Sequence, residues 1–188
     1  MARNAQRALP GHLQSQIAPL LAVMLQLNQQ IFFLDEVLAR GAQQHEAVAR
    51  LCTAPGVGPV VATAFVATLD KPERFRGAHQ VESFLGLVPQ ERSSGEKQHR
   101  GPITKSGNGR MRWLLVQAAW AILRSQSQQT VPLREWAGRL AQRRGKNVAV
   151  VALARRLAGI LFAMWRDGKD YEVKKLQAEQ DSALPAAA

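Results

Sequence analysis

Between residues 17 and 38, apolar side chains return at alternating intervals of three and four: Ile17, Leu20, Met24, Leu27, Ile31, Leu34 and Leu38. That is a seven-residue repeat, the seam of a coiled coil. It is the strongest constraint in the chain, because a helix this long cannot bury its stripe on a small domain by itself. Leu21, Val23, Leu25, Phe32 and Phe33 widen the stripe, so more than one partner surface is expected. The repeat fades at Gly41 and His45 and resumes at Val48 and Cys52. Pro19 has no backbone donor and fits a helix start or a kink. An ordinary amphipathic core helix is the alternative reading. The length favours a partner chain, and a homo-oligomer formed through this helix is expected.

The remainder reads as a compact helical domain over 51–170, after an arm over 1–50 and before a tail at 171–188 expected to be partly disordered. Residues 51–69 pass from an apolar helix end into Pro55-Gly56-Val57-Gly58-Pro59 and then an Ala/Val-rich helix. Two glycines permit a very tight reversal, and Pro59 suits a first helical turn. This resembles the hairpin of helix-hairpin-helix DNA-binding motifs. Bare glycines there would offer backbone N–H groups and a helix N-terminus to a phosphate without reading bases. A plain structural turn is the alternative.

Residues 88–108 are poor in apolar side chains and carry five glycines or prolines. They read as a long loop, with at most a ragged hairpin around Ile103. No clear strand pair and no internal repeat is seen. Helices are expected near 109–126, over PLREWAGRLAQRRG with Gly145 as its stop, and over VAVVALARRLAGILFAMWRDG. Trp113, Trp120, Trp136 and Trp165 fall at helical positions that read as packing. The expected fold class is therefore all-α.

Charge narrows the partner. The chain carries +11, but 92–166 alone hold 15 basic residues against Glu96 and Glu135, a net +13. A concentrated positive field attracts polyanions, nucleic acid first. An anionic membrane surface competes on charge alone, yet no unbroken apolar run reaches the roughly 18 residues of a bilayer span. The first residues lack the apolar stretch of a secretory signal, so an intracellular protein is expected. Cys52 is the lone cysteine, which excludes a disulfide framework or a multi-thiolate zinc site.

The densest chemistry lies in Arg92-Ser93-Ser94-Gly95-Glu96-Lys97-Gln98-His99-Arg100-Gly101. A serine in a basic loop could attack phosphorus if it is activated. Arg92, Lys97, Arg100, Lys105, Arg110 and Arg112 could clamp the phosphodiester and stabilise its transition state. A solvated loop is the bland alternative. No phosphate-loop or dinucleotide glycine motif is present. The four histidines lack ligand spacing, and Asp35, Glu36, Asp70, Glu73 and Glu82 form no carboxylate cluster by spacing.

The order of these motifs adds a resemblance. Pro55–Pro59, Arg74-Phe75, Gly86-Leu87-Val88-Pro89, Ser93–Lys97, Gly101-Pro102-Ile103-Thr104-Lys105-Ser106-Gly107-Asn108, Met111-Arg112 and Leu114-Leu115 follow one another as in a known domain. Over about 50–170 the chain resembles the C-terminal transposase domain of insertion-sequence transposases of the IS-110/IS-116/IS-902 type. The resemblance implies DNA recombination guided by a bridge RNA. It implies a catalytic centre that joins a RuvC-like domain, bearing acidic residues and magnesium, to a C-terminal serine. Carried over, that serine is Ser94, with Ser93 as the alternative. Lys97, Arg100, Lys105, Asn108 and Arg112 match the family's polar positions, and Gly56 and Gly58 its hairpin. The RuvC-like domain is not found in this sequence. No cofactor is expected in this chain, and full activity is expected to need that domain. A bacterial, cytoplasmic, nucleoid-associated protein is implied. Two other function classes stand beside the transposase: a non-catalytic DNA- or junction-binding module, and a purely structural coiled-coil partner.

Overall fold

The computed structural model describes residues 10–94 and 97–173, with side chains described outside 11–12 and 92–100. The chain divides into two compact units, Met1–Gly41 and Ala42–Ala188.

Helix α1 (Gly11–Gln44) makes up the described part of the first unit and runs on into the second. Pro19 lies inside it, not at its start. The apolar stripe is bare. Leu20, Met24, Leu27, Ile31 and Leu34 are each more than half exposed, and so are Phe32 and Phe33 on other faces. The fading of the repeat near His45 marks a real break. His45 turns to extended backbone at φ −106°, and α2 (Glu46–Leu51) follows with Ala47, Val48 and Leu51 buried.

The second unit is helical for the reason its spacing suggests. α3 (Pro59–Leu69) begins on Pro59, whose missing N–H costs nothing in a first turn. α4 (Ala78–Phe84), α5 (Gly109–Arg124), α6 (Val131–Arg144) and α7 (Lys146–Asp167) complete the set. In α7, Val150, Leu153, Ala154, Leu157, Ala158, Leu161 and Phe162 recur at intervals of one, three and four, and all are buried. α7 is thus the central helix, packed by α2, α4, α5 and α6. Phe75 meets Phe84 and Phe162 edge-on at 5.4 and 6.3 Å between ring centroids. Gly145 (φ +84°) separates α6 from α7 where a stop was expected, and Gly168 (φ +64°) caps α7 in the left-handed region.

The all-α class holds, with one addition. The expected long loop is a β-hairpin: β1 (Pro89–Ser94) pairs antiparallel with β2 (Lys97–Ile103). Residues 174–188, most of the expected tail, lie outside the described residues. By length and composition alone, α1 and α7 are long and apolar enough to cross a membrane, where the sequence reading expected no such span. Half of the α7 window is buried in the core, which accounts for its composition.

Candidate functional site

The hairpin is fastened at its base. Gly86 (φ +67°) and Gly107 (φ +80°) cross other backbone there so closely that neither has room for a Cβ. A Cβ on Gly86 would overlap the Ser106 carbonyl oxygen and lie 2.6 Å from the Ser106 nitrogen. One on Gly107 would overlap the Phe84 carbonyl oxygen. Thr104 N–H donates to the Val88 carbonyl at 2.9 Å, and Lys105 N–H to the Gly86 carbonyl at 3.1 Å. Lys105 holds φ +56°, a left-handed conformation uncommon for a residue with a Cβ.

Two residues assigned above to DNA complete this clasp. Arg112 Nη1 donates to the carbonyls of Leu85 at 3.1 Å and Ser106 at 2.9 Å, with Gly107 at 3.5 Å. Its guanidinium therefore ties the end of α4 to the start of α5. Asn108 caps α5: its Oδ1 accepts from Met111 N–H at 3.0 Å, and its Nδ2 donates to Thr68 Oγ1 at 3.4 Å. The run 101–108 thus works as the anchor of the hairpin. Removing Arg112 should leave carbonyls without a charged donor. Arg112→Met is expected to cost about 2 kcal/mol, the scale of hydrogen bonds to charged groups. Urea unfolding checks this, and a loss below about 0.5 kcal/mol, the scatter of neutral surface changes, would contradict the clasp.

The register sets Ser94 opposite Lys97, Ser93 opposite Gln98 and Arg92 opposite His99. The backbone thus brings the serines and the basic residues of both strands into one short hairpin. Gly95 and Glu96 lie outside the described residues, as do the side chains of Arg92, Ser93, Ser94, Lys97 and Arg100.

The glycine turn is elsewhere. Gly56 (φ +73°) backs onto the middle of α5, where a Cβ would sit 2.7 Å from the Ala118 carbonyl oxygen and 2.9 Å from Ile122 Cγ1. Gly58 is open, with nothing near its missing Cβ. Since Thr68 meets Asn108 while Gly56 meets Ala118, α3 and α5 run antiparallel. At about 1.5 Å per residue, the turn and the hairpin base lie about 15 Å apart along α5. Gly56 and Gly58 are not brought to the Asn108–Arg112 cluster.

The described basic side chains of 101–166 include engaged and exposed ones. Some are engaged: Arg155 donates to Glu82 at 2.6 Å, Arg134 to the Ser125 carbonyl, and Arg166 to Asp167 at 2.7 Å. Arg156 lies over the Trp136 ring at 4.9 Å. Lys105, Arg110, Arg124, Arg139, Arg143 and Arg144 are exposed and have no side-chain partner among the described residues. Trp113, expected to pack, is instead 58% exposed. Trp120, Trp136 and Trp165 are half-buried against the core.

Other chemistries find little support. Burial pushes the Cys52 thiol up from its ordinary pKa, opposite to what a reactive thiolate needs. Among the described residues no three His, Cys, Asp or Glu side chains gather as a metal site.

Comparison with known proteins converges on one group. Residues 48–131 match the model of the transposase IS116/IS110/IS902 family. The chain is 34% identical over 154 residues to a probable family 20 transposase of Pseudomonas aeruginosa, covering 78% of this chain and 46% of the relative. It is 36% identical over 141 residues to the transposase for insertion sequence element IS1111A of Coxiella burnetii, covering 75% and 39%. It is 30% identical over 142 residues to the transposase for insertion sequence element IS1328 of Yersinia enterocolitica, covering 76% and 42%. The chain spans less than half the length of each.

Proposed function

Since the chain belongs to the transposase IS116/IS110/IS902 family, we propose that it is the serine-bearing part of a DNA transposase, and that the β-hairpin presents the nucleophile. Ser94, or Ser93 in its place, attacks a phosphodiester of DNA. The hydroxyl gives up its proton as its oxygen bonds to phosphorus. The sugar oxygen leaves and takes up a proton. Arg92, Lys97, Arg100 and Lys105 hold the phosphate and spread its charge. The observation that carries this reading is the clasp. Gly86, Gly107, Asn108 and Arg112 anchor, within the family-matched segment, a hairpin that is dense in serine and basic residues. Positioning of this kind is what an otherwise weak hydroxyl nucleophile requires.

The magnesium implied by the resemblance belongs to an acidic RuvC-like domain. The described residues offer no cluster that fits it. A bridge RNA and a cytoplasmic, nucleoid-associated setting follow from the same reading. Strand transfer by Ser94→Ala and Ser93→Ala, with a RuvC-like half supplied, tests it. Transfer unchanged in both removes the hairpin serines from the mechanism.

The second reading is a non-catalytic helix-hairpin-helix or junction-binding module. The exposed Gly58 at the start of α3 favours it. It expects DNA affinity that falls steeply with salt and ignores Ser94.

Assembly through α1 is part of the proposal. Its bare stripe is the kind of large exposed apolar surface that marks an interface. Leu27→Glu with Leu34→Glu should weaken self-association by at least about 100-fold, the scale of two lost core residues. Sedimentation equilibrium measures this, and an unchanged oligomer would place the interface elsewhere.

A further inference from the structure

The outer face of α5 carries two indoles flanked by two arginines. Arg110, Trp113, Gln117, Trp120 and Arg124 succeed one another at intervals of three and four, so they share one side of the helix. The opposite side, with Met111, Leu114, Leu115, Ala118, Ala119 and Ile122, is buried. Arg110, Gln117 and Arg124 are exposed, and Trp113 is 58% exposed. Trp120 is half-buried, and Lys146 Nζ sits over its ring at 5.1 Å. The segment 109–130 contains no acidic residue. Arg110 and Arg124 have no side-chain partner among the described residues.

We propose that this face is a docking track for single-stranded DNA. Trp113 stacks an unpaired base, Arg110 contacts the phosphate beside it, and Arg124 contacts another phosphate about 16 Å farther along the helix. The track begins at the hairpin base, beside Asn108, and runs about 21 Å to Arg124 at about 1.5 Å per residue. Every base has a π-face, so an indole platform between cations binds a strand with little regard to sequence. A duplex hides those faces in its stack, which favours an unpaired strand. DNA is chosen over RNA because the phosphodiester attack proposed above cuts a DNA strand and leaves its free end beside the hairpin; in that respect the inference rests on that function.

The test compares the full chain with Trp113→Ala, Trp113→Phe and Arg110→Gln/Arg124→Gln. Each is titrated with a labelled oligo(dT) strand, its duplex with oligo(dA), and oligo(U), across a salt series. Trp113→Ala should weaken oligo(dT) binding about 10-fold or more, the scale of one lost base stack, with Trp113→Phe recovering part of it. The double arginine variant should reduce the single-strand salt slope by about 1.4, near 0.7 for each phosphate contact. Duplex binding should change far less. Equal losses on duplex, a preference for oligo(U), or an unchanged oligo(dT) affinity would each overturn the track. So would a change of oligomeric state in Trp113→Ala, which would make a second copy the occupant. The two readings fail separately. Transfer that survives Ser94→Ala leaves the Trp113 result standing, and a neutral Trp113→Ala leaves Ser94 untouched.

Discussion

Gly86→Ala is expected to destabilise the domain by at least about 4 kcal/mol, in the range reached only by severe and specific damage. Two effects act together. The position holds φ +67°, which costs a residue with a Cβ about 1–2 kcal/mol. The added methyl also has no space, since its nearest neighbours are backbone atoms of Ser106 and Lys105. Flexible side chains could move aside, but these atoms cannot move without opening the bonds from Lys105 N–H to Gly86 and from Arg112 to Ser106. Against a total of about 5–15 kcal/mol for a domain, that is a large share. Thermal unfolding of the variant checks it. The contrast is Gly138→Ala, where nothing lies within 4 Å of the added methyl and the helix is α6. That change should be neutral or mildly stabilising. Similar melting of both variants would show that the hairpin base is not a tight crossing.

Ser94→Ala should have the opposite profile, with the fold kept and the chemistry lost. Removing a nucleophile that forms a covalent intermediate leaves only binding and charge stabilisation. In enzymes of that kind the loss exceeds about a thousandfold. DNA affinity should be nearly unchanged, because the basic residues of the hairpin remain. If Ser93 is the nucleophile, the same loss moves to Ser93→Ala. A loss of affinity in step with transfer would make the serine a binding residue.

The helical frame was legible because its cause is local. The spacing of Leu153, Leu157 and Leu161 gives α7 its face, and Gly145 and Gly168 punctuate it. The β-hairpin was not legible as strands. QERSS and KQHRGPI lack the alternation of a half-buried strand, so nothing within them signals pairing. What holds them is a crossing between Gly86 and Ser106 and a guanidinium reaching from Arg112 to Leu85, across 27 positions. For the same reason the sequence shows Arg112 and Asn108 only as candidate DNA contacts, and their bonds to carbonyls and a helix cap are visible only in the fold. Trp113 is a different case. Its helical phase sets it away from Leu114, Leu115 and Ala118, so its exposure was readable from the pattern once the core side of α5 was fixed.

The central claim is that the anchored hairpin makes a covalent bond to DNA, and that bond can be sought directly. The chain, combined with a RuvC-like half and a labelled donor DNA, is quenched in denaturant during transfer, digested with protease and nuclease, and mapped by mass spectrometry. The account predicts a phosphodiester-linked nucleotide on the peptide containing Ser93 and Ser94, absent when the reacting serine is alanine. Efficient transfer with no such adduct, or an adduct on any other residue, would contradict it.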